Sequence, residues 1–185
     1  EPEGIRTRDG RLHALDVIVY ATGFNPAAFM RPMNFVGRAG LTIEQAWQKK
    51  IQAYRSMCLP GFPNFFLMLG PNSPIGNYSV ISMSEVQADY ALQLIRQWQA
   101  GVLDTIEAKP EAMRDWSAML KSRMGHTVWA SGCQSWYLDA DGDPLTWPDT
   151  WKHWLAAMQA PDLGDFVGGE PLPQEHGGMP LPEGA

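Results

Sequence analysis

A chain of 185 residues that is 45% hydrophobic and 18% charged can bury a substantial core, and its net charge of -6 argues against general nucleic-acid binding and against docking on an anionic membrane. No run approaches the roughly 18 apolar residues of a membrane-spanning helix, and the start carries no signal-peptide pattern. Two cysteines, Cys58 and Cys133, are too few for a disulfide framework and point to a reducing cytoplasm, whether they pair or stay as free thiols.

The opening Glu1-Pro2-Glu3-Gly4 has no initiator Met and runs almost at once into strand-like sequence, so the chain reads as the carboxyl-terminal piece of something longer. Gly4-Ile5-Arg6-Thr7 and Leu12-His13-Ala14-Leu15 alternate polar and apolar residues around Asp9-Gly10, a strong hairpin signal. The hairpin leads into Asp16-Val17-Ile18-Val19-Tyr20. This β-branched and aromatic run does not alternate, as expected of a strand buried on both faces in a parallel sheet. It ends at Ala21-Thr22-Gly23, where little side chain blocks the carboxyl end of the strand. Ligands sit at such ends in open α/β sheets. Gly23 allows close backbone approach and Thr22 offers a hydroxyl; read from the residues alone, the stretch is equally a strand ending in a plain turn.

Asn25-Pro26 stops that strand and opens a loop to Gly40. Thr42-Ile43-Glu44-Gln45 is a capping box for a short helix that carries Ile43, Ala46 and Trp47 inward. After the turn Leu59-Pro60-Gly61-Phe62-Pro63-Asn64, the run Phe65-Phe66-Leu67-Met68-Leu69 reads as a second doubly buried strand, ending at Gly70. Gly70-Pro71-Asn72-Ser73-Pro74-Ile75-Gly76-Asn77-Tyr78 is a loop stiffened by two prolines.

A long helix follows, about Ser79 to Gln99, with Met83, Val86 or Gln87, Tyr90, Leu94 and Trp98 as its apolar stripe and Gly101 at its carboxyl cap. Its first turn presents unpaired N–H groups and partial positive charge beside the loop, which suits a group that becomes negative; a bare strand-to-helix turn is the plainer reading. Pro110 opens another helix with Met113, Trp116, Met119 and Leu120 inward.

The acidic run Asp139-Ala140-Asp141-Gly142-Asp143 fails the calcium-loop pattern, because its glycine falls too early, and reads as a solvated turn. No histidine lies at metal-ligand spacing, and Cys133 has no evident His–acid partner, so neither a metal site nor a nucleophile is expected; His126 is the one histidine worth watching. From Gly168 to Ala185 the composition is that of a disordered Gly/Pro-rich tail, which leaves residues 1–167 as the folded part.

Three segments carry a resemblance. Val17-Ile18-Val19-Tyr20-Ala21-Thr22-Gly23-Phe24 resembles the "ATG" strand-turn of flavin-dependent monooxygenases with two dinucleotide-binding domains, in which such a hairpin precedes the strand. Gly61-Phe62-Pro63-Asn64-Phe65-Phe66 with Gly70-Pro71-Asn72-Ser73-Pro74 is similar to the "GFPNLFF…GPNSP" segment of the Baeyer–Villiger type. Trp129-Ala130-Ser131-Gly132-Cys133-Gln134-Ser135-Trp136-Tyr137-Leu138-Asp139, with Leu145-Thr146-Trp147-Pro148, resembles "W.SGC.SWY.D" and the "LWP" after it.

The resemblance runs to about Phe166 and implies an α/β fold, the carboxyl-terminal portion of a Rossmann-like FAD-binding domain with added helices. It implies FAD and NADP as cofactors, with Thr22, Gly23, Asn72, Ser73, Ile75, Gly76 and Asn77 on the cofactor side. The implied reaction is insertion of one oxygen atom from O2 through a C4a-(hydro)peroxyflavin, next to a small ketone or onto an amine or sulfide. Trp129, Trp136, Tyr137 and Trp147 then line a substrate cavity or wall the flavin domain; Trp151-Lys152-His153-Trp154 reads equally as strand or helix from its residues, and the resemblance favours a strand that rejoins that domain. No Gly-x-Gly-x-x-Gly occurs in the chain, so the fingerprints that hold dinucleotide pyrophosphates lie upstream, and no catalytic residue is assigned within these residues. A two-dinucleotide reductase and a non-enzymatic module that binds through its aromatic segments are the alternatives.

Overall fold

The computed structural model describes residues 1–23, 28–74, 78–125, 127–128, 138–139, 141–143 and 145–169. The hairpin forms where the alternation places it. β1 (Gly4–Arg6) pairs antiparallel with β2 (Leu12–Ala14), Ile5 opposite His13. Gly10 takes a φ of 84°, which an L side chain adopts only with strain, and so closes the Asp9-Gly10 turn.

The strand expected after the hairpin does not form. Residues 16–23 carry no regular secondary structure, with Val17, Val19 and Tyr20 74%, 81% and 85% exposed. A strand needs neighbours to take up its N–H and C=O groups, and the sheet among the described residues consists of β1 and β2 alone. Residues 65–69 are not a strand either. The Leu67 N–H donates to the Met57 carbonyl (2.8 Å), the Leu69 N–H donates to the Gln87 side chain (2.8 Å), and Leu69 has a left-handed φ of 55°. Irregular partners satisfy these amides where a ladder would otherwise be required.

α1 (Ile43–Ala46) has the expected capping box, with Thr42 and Gln45 each bonding the other's backbone. It buries Ile43 and Trp47 in a small core with Leu59, Phe62 and Leu67. α2 (Val80–Gln99) starts on the Ser79 hydroxyl and buries Met83, Gln87, Tyr90, Ala91 and Leu94. Trp98, expected on this stripe, is 48% exposed, because it lies in the last turn where the chain is already leaving the helix. Gly101 ends α2: its N–H donates to the Trp98 carbonyl, and the Val102 N–H donates to that of Gln97, a Schellman closure at a φ of 72°.

α3 (Pro110–Met124) has Pro110 in its first turn and buries Ala112, Trp116, Leu120 and Met124, with Met113 and Met119 half-buried on the same core. α4 (Trp151–Ala157) replaces the strand implied for residues 151–154. The Thr150 hydroxyl caps it by accepting the His153 N–H at 3.3 Å, and Ala156 and Ala157 favour its continuation.

α2, α3, α4 and the turn at residues 54–58 enclose the main core, where Trp154 packs on Trp147 (5.3 Å between centroids) and Trp147 on Trp116 (5.8 Å). Gly169 is part of this packed body. A Cβ there would collide with the Leu163 carbonyl, so Gly169, within the segment read as a tail, lies against the turn at 163–165. The rest of that tail lies outside the described residues. No described helix is long and apolar enough to cross a membrane.

Candidate functional site

The loop that begins at Gly70 is tightly fixed. A Cβ on Gly70 would meet the Ser56 carbonyl oxygen, so only glycine fits against that turn. Asn72 holds a left-handed φ of 65°, which asparagine tolerates better than other residues with a Cβ, and its N–H donates to the Leu145 carbonyl at 2.9 Å. The Ser73 N–H donates to Gly70, and the Ser73 carbonyl accepts the Trp147 N–H at 3.1 Å and the Thr146 hydroxyl at 3.4 Å. Leu145-Thr146-Trp147 is therefore the clamp that sets the loop's shape. Nothing in the sequence signals this contact, because it joins residues more than seventy positions apart.

The predicted site residues sit in different surroundings. Asn72 is half-buried, and Ser73 is fully buried with a side-chain oxygen that has no hydrogen-bond partner among the described residues. Thr22 and Gly23 are exposed at the end of the unpaired segment. Ile75, Gly76 and Asn77 lie outside the described residues, as do His126 and residues 129–137 with Cys133.

A cavity of about 20 Å³ adjoins Asn72, lined by Lys50, Gln52, Ser117, Lys121 and Asp143 among others, but by neither Thr22 nor Gly23. That is room for about one water and none for an organic ring. Among the described residues no cluster of His, Cys, Asp or Glu could hold a metal ion. The Asp139 carboxylate instead accepts the Asp141 and Asp143 N–H groups, closing the expected solvated turn. Cys58 is no nucleophile: burial pushes its thiol up to about 12, against the partial relief of the nearby Arg55 charge.

Asp143 carries the charge chemistry of this region. Burial works to raise its pKa, but hydrogen bonds from Lys50 and Lys121 outweigh it and hold the carboxyl below its usual range. A depressed carboxylate contributes stability above its unfolded pKa of about 4 and loses it as pH falls through the folded value. Asp143→Asn should therefore flatten the acid decline of stability. Denaturant unfolding of both proteins at several pH values below about 5 checks this, and parallel curves would show that the lysine clamp adds nothing.

Over 148 residues, or 80% of its length, the chain is 48% identical to an uncharacterised monooxygenase of Mycobacterium tuberculosis, of which the match covers 30%. It is 36% identical over 172 residues, or 91% of its length, to a Baeyer–Villiger monooxygenase of Streptomyces coelicolor, covering 33% of that protein. The closed crystal structure of cyclohexanone monooxygenase superposes on 85% of the chain with a TM-score of 0.72 at 29% identity, through 30% of its own length.

The chain is a relative of the Baeyer–Villiger and other FAD-binding monooxygenases.

It spans about 30% of the length of the curated relatives it matches. No family model matches the sequence. The structure of cyclohexanone monooxygenase from Rhodococcus sp. Phi1 bound to NADP+ agrees equally well, with a TM-score of 0.71 over 85% of the chain at 28% identity. The likeness thus extends over most of the chain but over less than a third of the monooxygenase it superposes on.

Proposed function

We propose that this chain is the carboxyl-terminal part of an FAD- and NADPH-dependent monooxygenase, of the Baeyer–Villiger type acting on a small ketone in the cytoplasm. The similarity to the Streptomyces Baeyer–Villiger monooxygenase over 91% of the chain carries the reading. FAD reduced by NADPH supplies the activation of O2, and these residues supply position and dryness.

Asn72 is the residue to place toward the flavin or substrate. Its amide both donates and accepts, and its backbone is locked by Gly70, Leu145 and the clamp on Ser73. The Ser73 hydroxyl, buried and without a partner among the described residues, is a second donor in the same loop, and such a pair suits a carbonyl edge. Thr22 and Gly23 offer exposed backbone and a hydroxyl at the end of an apolar run that would complete a parallel sheet in the whole protein. Ile75, Gly76 and Asn77 complete the proposed cofactor side.

Titrating FAD against the chain and against the complete protein tests the assignment. The chain by itself should bind poorly, since no pyrophosphate-cradling Gly-x-Gly-x-x-Gly occurs in it, whereas the complete protein should hold one flavin. Stoichiometric binding by the chain at about micromolar concentration, or a complete protein that takes up no flavin, would overturn the reading.

A further inference from the structure

We propose that Arg55 is a positioning residue for the loop that carries Asn72, acting through the turn and the helix that grip it. The Arg55 guanidinium carbon lies 5.4, 5.5 and 5.6 Å from the ring centres of Tyr54, Tyr90 and Trp116. Its Nε–H donates to the Tyr54 hydroxyl at 2.8 Å, and that hydroxyl donates in turn to the Asp165 carboxylate. Among the described residues no carboxylate lies within ion-pair distance of Arg55, so its charge is answered by aromatic faces and by Asp165 through Tyr54. Burial opposes the charge, and Tyr90, Tyr54 and Asp165 outweigh it, so the guanidinium stays protonated. A cation is a costly way to fill an aromatic core, and an apolar side chain would pack there without that cost.

The cage joins the two parts of the structure that hold the loop. Tyr54 belongs to the turn whose Met57 carbonyl accepts the Leu67 N–H and whose Ser56 carbonyl abuts Gly70. Tyr90 belongs to α2, one turn beyond the Gln87 that accepts the Leu69 N–H. Both sides of the contact are conformationally strained: Arg55 and Ser56 have φ values of 48° and 61°, Leu69 and Asn72 of 55° and 65°. Strained backbone persists only where its surroundings over-determine it, and Arg55 ties those surroundings together. Displacement of a substrate-side group by about 1 Å is enough to cost two orders of magnitude in rate.

The test uses three variants of the complete protein. Arg55→Met removes the charge, Arg55→Lys keeps it without the planar fork, and Tyr54→Phe keeps the ring and severs the link to Asp165. The first readout is hydrogen exchange of peptides covering residues 67–74 with neither NADPH nor substrate present. Arg55→Met should speed that exchange about 10-fold while α2 and α3 stay protected, with Arg55→Lys between it and the unmodified protein. The second readout, which alone rests on the function proposed above, is hydrogen peroxide released per NADPH oxidised at saturating substrate, and it should rise in the same order.

Unchanged exchange in all three variants overturns the proposal, and so does faster exchange with an unchanged peroxide ratio in a flavin-loaded protein. If Arg55→Met does not fold, Arg55→Lys and Tyr54→Phe decide it on the same readouts. If the unmodified protein binds no flavin yet exchange at 67–74 speeds up, the functional reading falls and the positioning role stands.

Discussion

If the function proposed above holds, replacing Asn72 by Leu in the complete protein should cut oxygenated product about 10²-fold while NADPH oxidation continues, because a donor that meets developing negative charge in a dry site is worth about 3 kcal/mol. The backbone that carries this side chain is pinned by the Leu145 carbonyl and by the clamp on Ser73. Leucine keeps the bulk but sits poorly at a φ of 65°, a strain of about 1–2 kcal/mol. Asn72→Gly removes the amide without that strain and separates the two effects. Oxygen that is activated but not transferred leaves as hydrogen peroxide, so the ratio of peroxide to NADPH is the quantity to measure. A ratio and product yield at the unmodified values in both variants would make Asn72 a turn residue only.

Loss of the Trp154 ring should cost the chain about 3–5 kcal/mol of stability, as for other large-to-small changes at fully buried aromatic sites. Trp154 is 0% exposed and meets Trp147 edge to face, while Trp147 stacks on Trp116 of α3. Trp154→Ala therefore opens a cavity at the junction of α4 and α3, and a chain of this size should lose about 10 °C in melting temperature. Trp154→Phe should lose much less, since it keeps most of the ring and removes an indole N–H that is buried without a partner. Thermal unfolding of the two variants measures both, and a loss below about 1 kcal/mol for alanine would show that α4 is not integral to the core.

What the sequence revealed and what it hid divide by range. The Thr42 capping box, the Asp9-Gly10 hairpin, the Pro110 start of α3 and the Gly101 stop of α2 are local signals, and each stands in the structure as read. α4 was also locally legible, from Thr150 and the alanines after Trp154; the family resemblance pointed the other way and misled. The two apolar runs at 16–20 and 65–69 have strand composition, but strands are made by their neighbours. The first finds none among the described residues, and the second gives its amides to Met57 and Gln87. The loop motif around Asn72 could be read, but not its clamp by residues 145–147. Nor could the cage that assembles Tyr54, Tyr90, Trp116 and Asp165 around one arginine, since both depend on distant pairings.

The uncovered run from Val17 to Tyr20 also governs how this chain behaves in concentrated solution. Val17, Ile18, Val19 and Tyr20 present consecutive β-forming side chains to water, 74%, 43%, 81% and 85% exposed, beside backbone groups with no ladder to occupy them. Such a segment is a template for the same segment in another molecule, strand against strand. Asp16 and the net charge of -6 oppose that contact through repulsion, and added salt weakens the opposition. Colloidal stability of the chain on its own is thus set by the competition between these four side chains and the surface charge, and low ionic strength favours the dispersed state.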